Sequence, residues 1–147
     1  MATHDLTGQE AGWAYPARPG GGPSYSISKV VDFCKINDGA GTAAGDIIKV
    51  LKIPANTIVQ SAAYRVFKAS ANLASVDIGD SAAATQFATA LDITTIKDGV
   101  SALTGKFYTA EDALQLKHNT AAAVVTGIIE VVALCWDANA YKGDMPV

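Results

Sequence analysis

The sequence has few of the features that identify a metalloprotein. Only two histidines, His4 and His118, occur in the 147 residues, and no HxH or HExxH spacing joins either one to a second ligand. The two cysteines, Cys34 and Cys135, belong to no CxxC or CxxH pair. We therefore predict no metal site and expect both cysteines to be small core residues, although their spacing leaves a disulfide open.

Excess positive charge and long hydrophobic runs are also missing. The net charge is −3 and the sequence pI is about 5.2, so no global attraction to nucleic acid is expected. The most apolar stretch, residues 121–136, is shorter than the roughly 20 residues that cross a bilayer, and it contains Glu130. Residues 1–10 lack the basic and apolar regions of a secretory signal. These features predict a soluble protein that is made in a cytoplasm and binds neither nucleic acid nor membrane.

Glycine-rich segments do not form a convincing nucleotide loop. Residues 39–44 match the letters GxGxxA, but the β-branched stretch that follows ends at Pro54 and does not read as a helix. The single core-proximal histidine, His118, is expected to be solvated or capping at a strand end, and it assembles no Ser–His–Asp grouping. We predict no catalytic residue, no cofactor and no enzymatic activity.

Three carboxylates leave alternatives open. Asp77 and Asp80 suit a calcium loop, but calcium takes six or more oxygens, so hydrogen-bonded turn carboxylates are the default interpretation. Glu130, within the strongest apolar strand, either is buried with a basic partner or faces solvent on an edge strand. Its candidate partners are Lys49, Lys52 and Arg65.

What the sequence does have is short apolar segments separated by turn signals. Half of the residues are hydrophobic and only 7% are aromatic, with Val and Ile favouring strands. About eight strands are predicted, at 26–36, 46–53, 57–68, 73–79, 92–96, 106–109, 113–118 and 127–136. Residues 81–91 read as a short helix or a loop. This spacing predicts one all-β sandwich or barrel domain over residues 25–147.

Side-chain alternation assigns the faces of some strands. In the strand at 73–79, Ala74, Val76 and Ile78 are expected to face inward, with Ser75 and Asp77 outward. Several strands are apolar on both faces, which indicates that a second face is also covered, for example by a neighbouring subunit. We expect the last strand to be central, so that a charge at Val132 prevents folding.

Residues 1–24 differ in composition from the rest of the chain. Residues 12–23 contain three prolines and four glycines, which break both helices and strand ladders. We predict an extended N-terminal arm whose large apolar residues, Leu6, Trp13 and Tyr15, anchor it against another subunit. An arm folded back on its own domain is the alternative.

The order of these elements resembles a family of virus proteins. The phrases that carry the likeness are GDIIKVLKIPANT (45–57) and VDIGD (76–80), between the Gly/Pro-rich arm and the final apolar strand. Over residues 25–137 the chain resembles small virion proteins of tailed bacteriophages, including cyanophage-type podoviruses, that act as head decoration or cement proteins. No functional residue can be carried over by position, because the shared phrases are strands and turns.

The resemblance implies a jelly-roll-like β-sandwich that is usually trimeric. Its expected partners are the major capsid protein and further copies of itself, and its expected place is the outside of the virion, where it stabilises the head. Two alternatives stay open: a structural component of the phage tail or fibre, and a carbohydrate-binding β-sandwich module.

Overall fold

The computed structural model describes residues 1–7, 24–71, 75–101, 105–120, 123–124 and 126–138, which form a jelly-roll-like sandwich of two five-stranded sheets. The first sheet contains, in spatial order, β1 (Thr3–Asp5), β3 (Ile47–Ile53), β9 (Asp112–His118), β5 (Ser75–Gly79) and β6 (Ala88–Asp92). The second sheet contains β2 (Ser24–Asp32), β10 (Ile128–Asp137), β4 (Thr57–Lys68) and β7 (Asp98–Val100), with β8 (Lys106–Tyr108) also paired to β4. The predicted all-β sandwich is confirmed, with ten described strands instead of about eight.

The core lies between the two sheets and is made by one face of each strand. From the second sheet, Val59, Val66, Ile129 and Val131 are fully buried. From the first sheet, the apolar side chains that meet them are Ile48, Val50, Ile53, Val76, Ile78, Leu114 and Leu116. β-branched residues dominate this list because they pack well on a pleated surface.

Strand β10 is the centre of the second sheet, as predicted. It pairs antiparallel with β2 on one side and with β4 on the other. Val132 does not face the core, however: Val131 is fully buried and Val132 is half-buried on the outer face. The assignment of Val132 to the core was therefore wrong, because β10 is apolar on both faces and its alternation alone does not say which face is inward.

Two segments differ from the predicted strands. The strand expected at 26–36 ends at Asp32, where the Asp32 carboxylate accepts a hydrogen bond from Cys34 N (3.0 Å). The 3₁₀ helix that starts there, Phe33–Gly39, is kinked, because Ile36, Asn37 and Asp38 have non-helical backbone angles. The strand expected at 92–96 is absent, because Asp92 accepts bonds from the backbone N–H and hydroxyl of Thr94 and turns the chain. Part of the predicted helix or loop at 81–91 instead forms β6.

The first residues of the chain add a strand that the sequence did not indicate. Strand β1 pairs parallel with β3, and Ala2 N donates to the Asp46 carboxylate at 2.6 Å. Further along, Leu6 N donates to the carbonyl of Lys49 at 2.9 Å. Residues 1–7 therefore lie on their own domain, while the division of the chain at residue 24 remains a prediction.

Candidate interaction surface

Both histidines lie in the described part of the chain, and each is close to polar side chains of the protein itself. His118 is fully buried at the end of β9, with Nε2 2.8 Å from the hydroxyl of Thr120 and Nδ1 3.4 Å from that of Thr42. The expectation of a solvated or capping histidine was wrong, because these hydroxyls satisfy the ring inside the protein. His4, in β1, lies 3.5 Å from the carboxylate of Asp46. No group of three or more His, Cys, Asp or Glu that could hold a metal is found within the described ranges.

The two candidate calcium ligands are both buried and engaged by donors from the protein. Asp77 was expected to face outward in the sense of being exposed, but it is buried and accepts a bond from Ala90 N at 2.7 Å. Asp80 accepts bonds from Lys106 Nζ at 2.5 Å and Tyr108 Oη at 2.6 Å. It also accepts hydrogen bonds from the backbone N–H groups of Ala82 and Ala83, which lie in the loop that follows it. This arrangement agrees with the default interpretation of hydrogen-bonded turn carboxylates.

The Asp80 cluster joins the two sheets electrostatically. Burial by itself raises the pKa of the Asp80 carboxyl, but the hydrogen bonds from Lys106 and Tyr108 outweigh it and hold that pKa below its usual value. Burial, followed by the hydrogen bond to Asp80 and then the charge of Asp80, raises the pKa of the Tyr108 hydroxyl far above that of a free phenol. Tyr108 is thus a neutral donor, and the cluster contributes to stability.

The cysteines differ in environment. Cys135 lies on the inward face of β10, is fully buried, and has its thiol pKa raised to about 12 by burial. Cys34 is exposed, because Phe33 and Ile36 are the residues of the 3₁₀ helix that point into the core. The expectation of two core cysteines was therefore wrong for Cys34, and both thiols are free.

The predicted arm anchors fall into two groups. Leu6 packs, partly buried, against the core of its own domain, and its carbonyl accepts a hydrogen bond from Lys29 of β2. Trp13 and Tyr15 lie outside the described residues. An intermolecular role for the three anchors stays a prediction, and the structure adds for Leu6 a contact within the chain.

A contiguous set of exposed apolar side chains lies on the outer side of the second sheet. Two rows of side chains cross this face: Val132, Ala63 and Val100, and then Trp136, Ile58 and Phe107, with Leu134 between the rows. Val100 is 70% exposed, Phe107 50%, Trp136 40% and Leu134 39%. A solvated face of an antiparallel sheet is ordinarily polar, and contiguous apolar exposure marks an interaction site. We call this set of seven residues the outer face.

A groove of about 470 Å³ lies at one end of the outer face. Strand β10 contributes Glu130 and Val132, and the opposite wall is β7. Between them lie Ala63, Tyr64 and Arg65 of β4. A Cβ on Gly99 of β7 would lie 2.7 Å from a carbon of the Tyr64 ring, so a larger residue there would displace that ring. The groove therefore has an apolar floor and charged residues along its walls.

The charges of this groove answer the question about Glu130. Glu130 is partly exposed on a central strand, so the edge-strand interpretation was wrong. Its register partner on β4 is Arg65, one of the three candidates, but the Arg65 guanidinium contacts the carboxylate of Asp98 at 3.2 Å. Lys52 instead pairs with Glu111 at 2.9 Å. Within the part of the chain that the structure describes, the Glu130 carboxylate forms no hydrogen bond or ion pair.

One further observation concerns membranes. In the described parts of the chain, no helix is long and apolar enough to span a bilayer.

Comparison with known proteins identifies relatives of the fold. No protein-family model matches the chain, and no curated protein sequence matches it. Among solved structures, it is similar to a chain of the cyanophage Pam1 capsid asymmetric unit, with TM-score 0.63, 19% identity, and coverage of 84% of this chain and 91% of that one.

Two further phage structures contain similar chains. A chain of the Ralstonia phage GP4 capsid has TM-score 0.60 at 15% identity, with 86% of this chain and 93% of that chain covered. A chain of the acidic stable capsid of Helicobacter pylori bacteriophage KHP30 has TM-score 0.57 at 15% identity, covering 78% and 88%. At these identities the likeness shows a common fold.

Proposed function

We propose that the protein is a structural component of a tailed-bacteriophage particle, and specifically a head decoration protein that binds the major capsid protein on the outside of the shell. The observation that carries this proposal is the outer face, where apolar side chains cover a sheet surface that lacks a partner within the described chain. The sandwich shared with chains of three phage capsids supports a place in the head over one in the tail or fibre.

A structural role is also supported by the way the chemically capable side chains are used. His118, Asp77 and Asp80 are buried and hydrogen-bonded within the fold, and the Cys135 thiol is held neutral by burial. The seven residues of the outer face, at the surface of the second sheet, are apolar, which suits binding to protein. In this proposal the protein binds and stabilises and does not catalyse.

Many copies on one shell would make weak individual contacts effective. A protein that contacts both the shell and further copies of itself, as a homotrimer, gains avidity because each bound contact raises the local concentration of the next. The predicted arm anchors Leu6, Trp13 and Tyr15 would add to this effect. The chain would be made in the host cytoplasm and added to the particle there.

The test is to locate the protein on particles of the phage that encodes it. We expect mass spectrometry of purified heads to find the protein in stoichiometric amounts, and particles lacking it to lose their DNA at lower temperature. Adding the purified protein back should restore the stability, and Val132→Asp should restore it less well than the control Glu111→Arg. Recovery with purified tails, or binding only to a glycan array, would contradict the proposal and support one of the two alternatives.

A further inference from the structure

Among its described residues, the groove contains one more carboxylate than it contains cations. It contains one guanidinium, of Arg65, and two carboxylates, of Asp98 and Glu130. Because Arg65 contacts Asp98 at 3.2 Å, a basic group brought by a partner would find Glu130 available. Beside Glu130, the apolar floor formed by Ala63 and Val132 suits a large apolar side chain. The complementary ligand is therefore a short segment with aromatic side chains and one nearby cation.

The chain itself contains such a segment. Residues 13–18 read Trp-Ala-Tyr-Pro-Ala-Arg, so Trp13 and Tyr15 are followed closely by Arg18. A guanidinium is the cation best suited to a carboxylate in a partly desolvated site, since its planar fork matches the two oxygens. The two aromatic rings have few rotatable bonds and bury large areas at low entropic cost.

This segment lies within residues 8–23, and the residues on either side of that stretch are held along one edge of the second sheet. Leu6 is fixed to Lys29 in the middle of β2, and Ser24 begins the same strand, opposite Trp136. These two points are about 17 Å apart at 3.3 Å per residue. The intervening residues 8–23 can span at most about 55 Å when extended, so their length allows them to reach well beyond this edge.

The groove extends across the outer face from β10 to β7. The strand order is β2, β10, β4, β7, and Glu130 of β10 lies in register with Val30 of β2, the strand at which the segment ends. A segment that leaves one copy and binds the groove of the next makes a head-to-tail contact, and such contacts close into rings when copies are related by rotation. The proposed homotrimer supplies the second copy.

We propose that residues 13–18 of one copy bind in the groove of a second copy of this chain, with Trp13 and Tyr15 on the apolar floor and Arg18 paired to Glu130. This proposal rests on the proposed assembly role and deepens it, because it names the surface to which the arm binds. The ring that results presents several copies together to the shell.

Charge reversal tests the proposed pair in the purified full-length protein. In sedimentation experiments over a range of concentrations, we expect Glu130→Arg and Arg18→Glu each to raise the dissociation constant for self-association about tenfold. The combined variant should recover most of that loss. Glu111→Arg is the matched control, because Glu111 is an exposed carboxylate that pairs with Lys52 away from the groove. Equal effects of the control, or no rescue by the combination, would overturn the proposal.

Cross-linking distinguishes contact between copies from contact within one. In a Cys34→Ser background, Arg18→Cys and Glu130→Cys are combined and treated with a short bismaleimide, which spans an Arg–Glu side-chain pair. We expect covalent dimers and larger closed species on a denaturing gel. Cross-linked monomer alone would place the segment in its own groove, and unlinked monomer would remove it from the groove; either result overturns the proposal. Since this assay uses no phage particles, its outcome is independent of whether the protein is found on heads.

Discussion

Asp80 and Lys106 connect the two sheets of the sandwich through a contact of 2.5 Å between Oδ2 and Nζ. Asp80 directly follows β5 in the first sheet, whereas Lys106 begins β8 in the second. The Asp80 side chain has no exposed surface and that of Lys106 keeps about a quarter of its own. The pair therefore fixes the loop after β5 against the second sheet.

Removing the Asp80 charge should destabilise the fold. We expect Asp80→Asn to lower the free energy of unfolding by about 2–3 kcal/mol, because hydrogen bonds to charged groups contribute about 1.5–3 kcal/mol and Tyr108 loses its charged acceptor. Urea denaturation gives the value. Asp98→Asn is the control: its ion pair with Arg65 is exposed and should contribute less than about 1 kcal/mol. Equal losses in the two variants would contradict this role of Asp80.

The same carboxylate predicts a pH dependence. The pKa of Asp80 is lowered in the folded protein, so its contribution is complete above the unfolded value of about 3.9 and is lost as the pH falls through the folded pKa. The difference in unfolding free energy between wild type and Asp80→Asn should therefore be constant between about pH 7 and 5 and shrink below about pH 4. A difference that grows on acidification would contradict the direction of the shift.

Two neighbouring valines of β10 should differ in whether the fold tolerates their replacement by aspartate. Val131→Asp places an unpaired carboxylate in the core, at a cost of several kcal/mol, and should prevent folding. Val132→Asp lies on the outer face and should leave the melting temperature within a few degrees of wild type. Far-UV circular dichroism and thermal melting compare the two. If Val132→Asp also fails to fold, the outer face is covered within the chain itself.

Substitution of two glycines by alanine should destabilise the protein to different degrees, because the atoms around the two positions differ. A Cβ on Gly79 would lie 2.1 Å from the backbone oxygen of Ala83, whereas one on Gly99 meets only the ring of Tyr64. Because a backbone cannot move aside as a side chain does, Gly79→Ala should destabilise by more than the roughly 1–3 kcal/mol expected of overpacking at Gly99→Ala. Denaturant midpoints of both variants test this order, and the reverse order would contradict it.

Substitution of the arm anchors should affect stability at one anchor and assembly at the other two. Leu6→Ala should lower the unfolding free energy by about 1–2 kcal/mol, since Leu6 is only partly buried on its own core. Trp13→Ala with Tyr15→Ala should leave unfolding unchanged but weaken self-association and retention on particles. Thermal melting and occupancy after dilution measure the two effects. Loss of stability in the double variant would place these aromatics on their own domain.

Much of the candidate surface could be anticipated, but its position could not. The apolar pattern on both faces of β10 indicated a covered second face, and the outer face is the exposed surface to which that inference applies. The groove at its end could not be predicted, because it depends on β7 pairing with β4 and on Tyr64 lying over Gly99. Those contacts join residues more than thirty positions apart, and no local pattern encodes them.

Local sequence determined the strands wherever alternation and turn residues agreed. The predicted strand at 57–68 matches β4 in full, and those at 46–53, 113–118 and 127–136 match β3, β9 and β10 to within one residue at each end. The period of two and the flanking glycines and prolines are sufficient for this, because they act over a few residues. They also sufficed for the all-β class.

Only the tertiary structure decided which side of each strand is inside and where polar groups are satisfied. The burial of Asp77 depends on Ala90 N in β6, and the burial of His118 depends on the hydroxyls of Thr42 and Thr120. Strand β1 forms because β3 offers it an edge and Asp46 accepts the N–H of Ala2. Each of these outcomes requires a hydrogen-bond partner from another part of the chain, and the free energy of burying a polar group depends on whether that partner is present.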